Sequence, residues 1–220
     1  MPDPSPMPPR RITREMPYRS LNGYGTTAVA VVLVAVGATV LARQLAPWYV
    51  GVAVLLVAGV LLTGLYMLQP NEAVILTLFG KYQGTDRTEG LRWRNPLQSG
   101  TRISLRARNL NTAPLKVNDK RGNPVEIGAA VVWRVHDTAQ AVFDIDDYTR
   151  FVTVQAEAAI RHLATLYAYD SGEDLAPEET TLRAGLDTVA NALKDELNQR
   201  FSDAGVEVLD AKLTHLAYAP

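Results

Sequence analysis

Three histidines, His136, His162 and His215, are the first residues to weigh as bearers of chemistry. Imidazole titrates near neutrality and ligates metals. The three are isolated from one another in the chain, and none has a second ligand at metal-binding spacing. Strand-end, helix-face and strand-face roles are expected for them in turn. Asp144-Ile145-Asp146-Asp147 gathers carboxylates, yet it lacks the glycine and the distal glutamate of a calcium loop. Helix capping is the expected use of these acids. The serines, Ser5, Ser20, Ser99, Ser104, Ser171 and Ser202, sit in no nucleophile context. There is no G-x-S-x-G, no H-E-x-x-H and no phosphate-cradling glycine loop. Cysteine is absent, which removes disulfides, thiol catalysis and thiolate-bound zinc. No catalytic, cofactor-binding or metal-ligating residue is assigned, and no cofactor is expected. The chain reads as a non-enzyme. A membrane peptidase and a pore or transporter subunit are the alternatives.

One set of residues does suggest a chemistry, that of binding anions. Arg92, Arg94, Arg102, Arg106 and Arg108 alternate with apolar residues, Trp93 among them, as they would along β-strands. From Glu72 to Arg134 eleven Lys/Arg stand against five Asp/Glu, whereas from Asp144 to Asp203 five stand against thirteen. The basic part follows a long apolar stretch, so anionic lipid is the simplest partner, worth about 1 kcal/mol per nearby Lys or Arg. Membrane-surface contact is accordingly expected through Arg92, Trp93, Arg94, Arg102, Arg106 and Arg108. A solvated or inter-subunit face fits the same pattern. Nucleic acid is not an expected partner.

The stretch that would hold these arginines at a membrane is residues 26–68. Between Arg19 and Glu72 the only charged residue is Arg43. About 20 apolar residues in a helix span a hydrocarbon core of about 30 Å. Two membrane helices are expected, at about 26–42 and 47–68, turning at Arg43, Gln44 and Pro47. Basic residues flank the pair on both sides, which places the N-terminus and the following domain in the cytoplasm by the positive-inside rule. A multi-pass protein of a bacterial inner membrane is the resulting expectation. Trp48, Tyr49 and Tyr66 are the candidate membrane-interface aromatics. Gly51 and Gly59 share nearly one helix face and are candidates for close helix approach. Arg10, Arg11, Arg14 and Arg19 resemble the charged start of a signal peptide, but the apolar run is long for one and its end is a poor cleavage site. Residues 1–25, with five prolines in the first nine, are expected to be a disordered tail.

Beyond the apolar stretch, Ala73–Phe79 reads as a strand, Gln83–Gly90 as turns, Leu91–Arg94 and Thr101–Leu110 as strands. Asn118–Asn123 marks a hairpin leading into a long β-branched run at Val125–Val135. The period then changes. A short helix is expected at Ala139–Phe143 and a longer one at Tyr148–Leu166, with Phe151, Val154, Ala158 and His162 on its apolar side and Val152, Ala159, Leu163 and Leu166 broadening the stripe. A second long helix is expected over about Pro177–Phe201, with Leu182, Leu186, Val189, Leu193 and Leu197 as its stripe. A last strand covers Val206–Ala217.

These pieces in this order resemble a family. QPNEAVILTLFGKY, EGLRWRNP, NDKRGNPVEIGAAVVWRVHD, AEAAIRHLA and GVEVLDAKLTHL together are similar to a stomatin/prohibitin/flotillin (SPFH, or Band 7) domain of bacterial stomatin-like, slipin type. Pro70, Gly80, Gly90, Leu91, Pro96, Asp119, Gly122, Val125, Arg134, Val135 and Asp137 carry the likeness, which covers residues 69–217. The resemblance implies an α+β fold: a two-helix transmembrane hairpin followed by an SPFH-like domain with an antiparallel sheet and two main helices. It implies an oligomerising scaffold that organises membrane microdomains and confines or regulates membrane proteins such as proteases or channels. In the family a charged coiled coil usually follows the last strand. No such stretch precedes Pro220, so assembly is left to the domain and the membrane helices or to a segment outside this sequence.

Overall fold

The computed structural model describes residues 13–170, 181–183 and 185–219. The chain divides into two compact units, one spanning Glu15–Leu105 and the other built from Arg106 onward together with the described residues up to Arg14.

The first unit contains two antiparallel sheets and a pair of apolar helices. β1 (Leu21–Asn22) passes directly into α1 (Gly23–Arg43), and α2 (Trp48–Thr63) is followed at once by β2 (Leu65–Leu68). β5 (Gly90–Trp93) lies between β1 and β2, giving the order β1-β5-β2. The other sheet has the order β4-β3-β6, from β3 (Glu72–Leu78), β4 (Lys81–Asp86) and β6 (Gln98–Ser104). Leu68, Val74 and Leu76 are buried together, with Tyr18 and Tyr66 packed against them.

Asn22 caps α1 by accepting from the Tyr24 amide. The helix then runs through residues with no charge until Arg43 in its last turn. α1 and α2 meet along a seam of small residues, since Gly23, Ala30 and Gly37 are the buried positions of α1 and Gly51 and Ala58 those of α2. Each series repeats every two turns of helix, which keeps it on one face. A Cβ on Gly37 would meet the Gly51 carbonyl oxygen at 3.2 Å and Leu55 Cγ at 2.9 Å. Small residues here let the backbones approach. The seam corrects the expected Gly51–Gly59 pairing, because nothing lies within 4 Å of a Cβ on Gly59.

Three further expectations are corrected in this unit. The second helix ends at Thr63 rather than Leu68, because Leu65–Leu68 pairs with β5. Tyr66 is therefore a strand residue. The tail from Glu15 to the start of α1 is packed onto this unit, and Pro17 is its last proline before α1. Glu15 joins Arg87 at 2.6 Å, and the Tyr18 amide donates to Thr85 O at 2.9 Å. The tail gains partners from a strand some seventy residues away, which its local composition does not reveal; the expectation for residues 1–12 lies outside the described residues. Finally, Gln83–Gly90 is largely strand rather than turn. Phe79 and Gly80, with φ of 49° and 80°, make the tight turn before it.

In the second unit β9 (Pro124–Val135) is central, with β10 (Val206–Tyr218) on one side and β7 (Arg108–Asn111) and β8 (Leu115–Asn118) on the other. α3 (Tyr148–Leu166) and α4 (Leu186–Phe201) pack on this sheet. Val125, Ile127, Val131, Ile160, Leu193 and Leu197 are wholly buried. Asp147 caps α3 by accepting from the Thr149 and Arg150 amides. A five-residue π-helix, Gln140–Asp144, stands where the short helix was expected. The alternation over Thr101–Leu110 is two strands of different sheets, because the Leu105 amide leaves the ladder to donate to Asn71 O at 2.9 Å. The buried residues of α3 are Val152, Ala156, Ala159, Ile160, Leu163 and Ala164, so the expected flank of the stripe at Val152, Ala159 and Leu163 is buried and the stripe's centre lies one position round from the expected one. Val154 and His162 are exposed instead. α4 begins at Leu186, which is itself exposed, while Leu182 is buried in the turn before it. The expected helix start near Pro177 lies outside the described residues.

Candidate functional site

The place where the sequence's arginines, aromatics and apolar helices converge is the root of the α1–α2 pair. β5 brings Arg92 between Asn22 of β1 and Tyr66 of β2. Arg92 donates from Nε to Ser20 Oγ at 2.7 Å and from Nη2 to Ser20 O at 2.8 Å. Ser20 Oγ donates to Asp86 Oδ2 at 2.6 Å, and the Tyr66 hydroxyl donates to the same oxygen. Arg92 Nε lies 4.0 Å from Asp86 Oδ2. The Asp86 side chain is fully buried, and its second oxygen accepts from the Thr88 amide at 2.9 Å. Four side chains from four segments thus close one polar cluster beneath the helices. A buried carboxylate persists only when its lone pairs are satisfied and a cation is near.

Two contacts tie the helices to the same strand. Trp93 Nε1 donates to Leu61 O at 2.7 Å, adding a second donor to a carbonyl in the last turn of α2 that also accepts from the Gly64 amide at 3.3 Å. The Arg94 amide donates to Gly64 O at 2.9 Å. Gly64 has no room for a side chain, because a Cβ would sit 2.3 Å from Arg94 O. The Arg94 guanidinium lies over the Tyr66 ring, 5.6 Å from its centre.

The electrostatics follow from burial and hydrogen bonding. Burial opposes ionisation of Asp86, but the hydroxyls of Ser20 and Tyr66 and the Thr88 amide all favour the carboxylate. The net effect holds its carboxyl below the usual range. Burial, and the bond to Asp86, push the Tyr66 hydroxyl well above the usual tyrosine value. Asp86 is therefore held as a carboxylate, with the Arg92 guanidinium beside it.

The six residues expected at the membrane surface do not form one set. Arg92 faces the internal cluster, Trp93 caps α2 and Arg94 stacks on Tyr66. Arg102, on β6, is exposed. In the other unit Arg106 is exposed, whereas Arg108 lies 5.4 Å from the Trp133 ring centre and 5.5 Å from that of Tyr148. Trp48 and Tyr49 are exposed at the start of α2, far along the helix from Tyr66. Ser20 and Asp86 were not singled out by sequence reasoning. Nothing local marks them, since the cluster closes only when Ser20, Tyr66 and the Asp86–Arg92 stretch, twenty to seventy residues apart, come together.

A second buried acid closes the β8–β9 hairpin. Asp119 accepts from the Arg121 and Asn123 amides at 2.9 and 2.7 Å and from the Tyr169 amide at 3.0 Å. Burial opposes its ionisation, yet these bonds hold its carboxyl below the usual range. Gly122, at φ 84°, supplies the turn. The histidines have acidic neighbours. His162 Nδ1 lies 2.8 Å from Glu196, His215 lies 3.6 Å from Glu126 and His136 lies 4.0 Å from Glu207. Among the described residues no group of three or more His, Asp or Glu could hold a metal ion.

Compared with known families, residues 66–220 match the SPFH domain / Band 7 family. The chain belongs to that family. A comparison with curated proteins finds no match. The SPFH match begins in β2, so the strand that carries Tyr66 is the first element of the domain. Members of the family are generally membrane-associated, oligomeric and non-enzymatic, and are linked to membrane scaffolding and microdomain organisation. α1, 21 residues long with a mean hydropathy of 2.2 in its most apolar window, is long and apolar enough to cross a membrane. α2, at 16 residues, is shorter.

Proposed function

We propose that this protein is a membrane-anchored SPFH scaffold of stomatin-like type that oligomerises, organises microdomains and confines or regulates membrane proteins such as proteases or channels. The observation that carries the reading is the joining of an apolar helix pair to an SPFH domain through one buried cluster. Such a cluster transmits force and position from the bilayer to the domain, as a scaffold requires and a flexible linker does not. α1 and α2 cross a bacterial inner membrane as a hairpin, leaving the SPFH domain in the cytoplasm. Trp48 and Tyr49 sit at its far interface. Arg102 and Arg106 supply the contact with anionic headgroups, and acidic residues of the helical unit supply complementary charge to neighbouring copies.

Imaging of the fluorescently tagged full chain in its native membrane tests this reading. Slowly diffusing clusters that enrich particular membrane proteins are expected. Uniformly spread, freely diffusing single copies would overturn it.

A further inference from the structure

The β1-β5-β2 sheet wears its polarity inside out. In a sheet, directly paired residues share a face and alternate residues share a face. Leu21, Trp93 and Leu65 are paired across the three strands, and Met67 is paired with Leu91 one pleat further on. These five apolar side chains therefore occupy one face. Asn22, Arg92 and Tyr66 form the row between them, on the opposite face, where Arg92 and Tyr66 meet Ser20 and Asp86. Leu68, which shares that inner face, is buried with Val74 and Leu76. Antiparallel sheets with one wet face ordinarily turn polar residues outward. Here the outward face is apolar, and Leu21 and Met67 are 61% and 58% exposed.

Both helices meet the sheet on that same face. A Cβ on Gly23, at the start of α1, would lie 2.6 Å from Leu91 Cγ, and the Leu61 carbonyl near the end of α2 accepts from the Trp93 indole. The apolar face is thus continuous with the apolar helices that leave it. The length of α2 points the same way. Its 16 residues rise about 24 Å, less than the roughly 30 Å of a hydrocarbon core. A short span draws its flanking residues toward the lipid.

We propose that the outer face of the β1-β5-β2 sheet is a membrane-contact surface, seated at the boundary between headgroups and acyl chains. Its occupant is lipid hydrocarbon. Leu21, Leu65, Met67 and Leu91 enter the apolar side of the boundary, and Trp93 sits at the interface, where indoles concentrate. The sheet is then a foot lying on the bilayer, with its charged cluster screened behind it. This inference rests on the anchor reading above and replaces arginine by aliphatic contact as the main grip of this unit on the membrane.

The chain has no cysteine, so single-cysteine variants report single sites. Nitroxide labels at Leu21→Cys, Met67→Cys, Val32→Cys on α1 and Arg121→Cys on the β8–β9 turn are compared in nanodiscs, in full-length protein whose fold is checked by tryptophan fluorescence. Collision with oxygen marks lipid, and collision with a water-soluble nickel chelate marks solvent. The expected result is loss of nickel accessibility at Leu21 and Met67 as well as Val32, with Arg121 fully accessible. Lipid exposure at Val32 with nickel-accessible Leu21 and Met67 would overturn the foot and leave the anchor standing. Nickel access at Val32 would overturn the anchor itself, and the foot with it.

Discussion

Replacing Asp86 by alanine removes the acceptor on which the cluster at the helix root depends. Three partners lose it: the Ser20 hydroxyl at 2.6 Å, the Tyr66 hydroxyl and the Thr88 amide at 2.9 Å. Arg92, only 19% exposed in its side chain, loses its neighbouring charge. Breaking a buried ion pair by removing one partner costs about 3–5 kcal/mol. Arg92 keeps its two bonds to Ser20, so the lower end applies, about 3 kcal/mol. For a chain of this size 1 kcal/mol moves Tm by about 2–4 °C, giving a fall of about 6–12 °C. Asp86→Asn keeps a carbonyl acceptor and loses about half as much. Thermal unfolding of the full chain in nanodiscs, followed by tryptophan fluorescence, measures both. Because Asp86 and Arg92 act together, Asp86→Ala and Arg92→Ala combined cost less than their sum. A fall in Tm below about 2 °C for Asp86→Ala, or strict additivity in the double variant, would refute the cluster as the mechanical root.

Further consequences follow from other parts of the molecule. Asp86 and Asp119 both have carboxyls held below their unfolded value, so the stability they contribute is present above about pH 4 and is lost as pH falls through the folded values. Acid unfolding of Asp86→Asn and Asp119→Asn should each show a shallower loss than the wild type between about pH 5 and pH 2. Gly37→Leu places its side chain against Leu55 and the Gly51 backbone, and should part the helix pair, read as loss of a disulfide formed between cysteines placed at Ala30 and Ala58. Trp93→Phe removes the shorter of the two hydrogen bonds to the Leu61 carbonyl, leaving the Gly64 amide at 3.3 Å, and should cost about 1 kcal/mol in the same thermal assay. If α1 and α2 cross fully, Leu45→Cys in the turn between them is labelled by an impermeant maleimide from the side opposite the SPFH domain; labelling from the same side would make the pair a re-entrant hairpin.

Much of the architecture could be read from local pattern. The β8–β9 hairpin was legible because Asp119, Gly122 and Asn123 are turn residues between apolar runs, and the structure uses each of them. The long final strand was legible from Val206 and Val208 following the Gly205 turn. The end of α2 was not, since Leu65–Leu68 is as apolar as the helix before it, and only pairing with β5 makes it a strand. Only the centre of the α3 stripe was misplaced, because alanines, which signal neither face, hold part of its buried side at Ala156 and Ala164. The arginines illustrate the larger limit. Alternation showed that Arg92 and Trp93 face opposite ways, but which face is inside depends on Ser20 and Tyr66, distant in sequence, meeting an Asp86 that is ordinary in type. Basic strands beside a membrane suggest headgroup contact, whereas here Arg92 turns inward to a buried acid.

The claim that matters most is that this SPFH chain acts as an assembled, membrane-held scaffold. Native mass measurement of the full chain released from nanodiscs tests it most directly. A defined oligomer that carries bound lipid and persists at dilution is expected. A monomer across the same concentrations would contradict it.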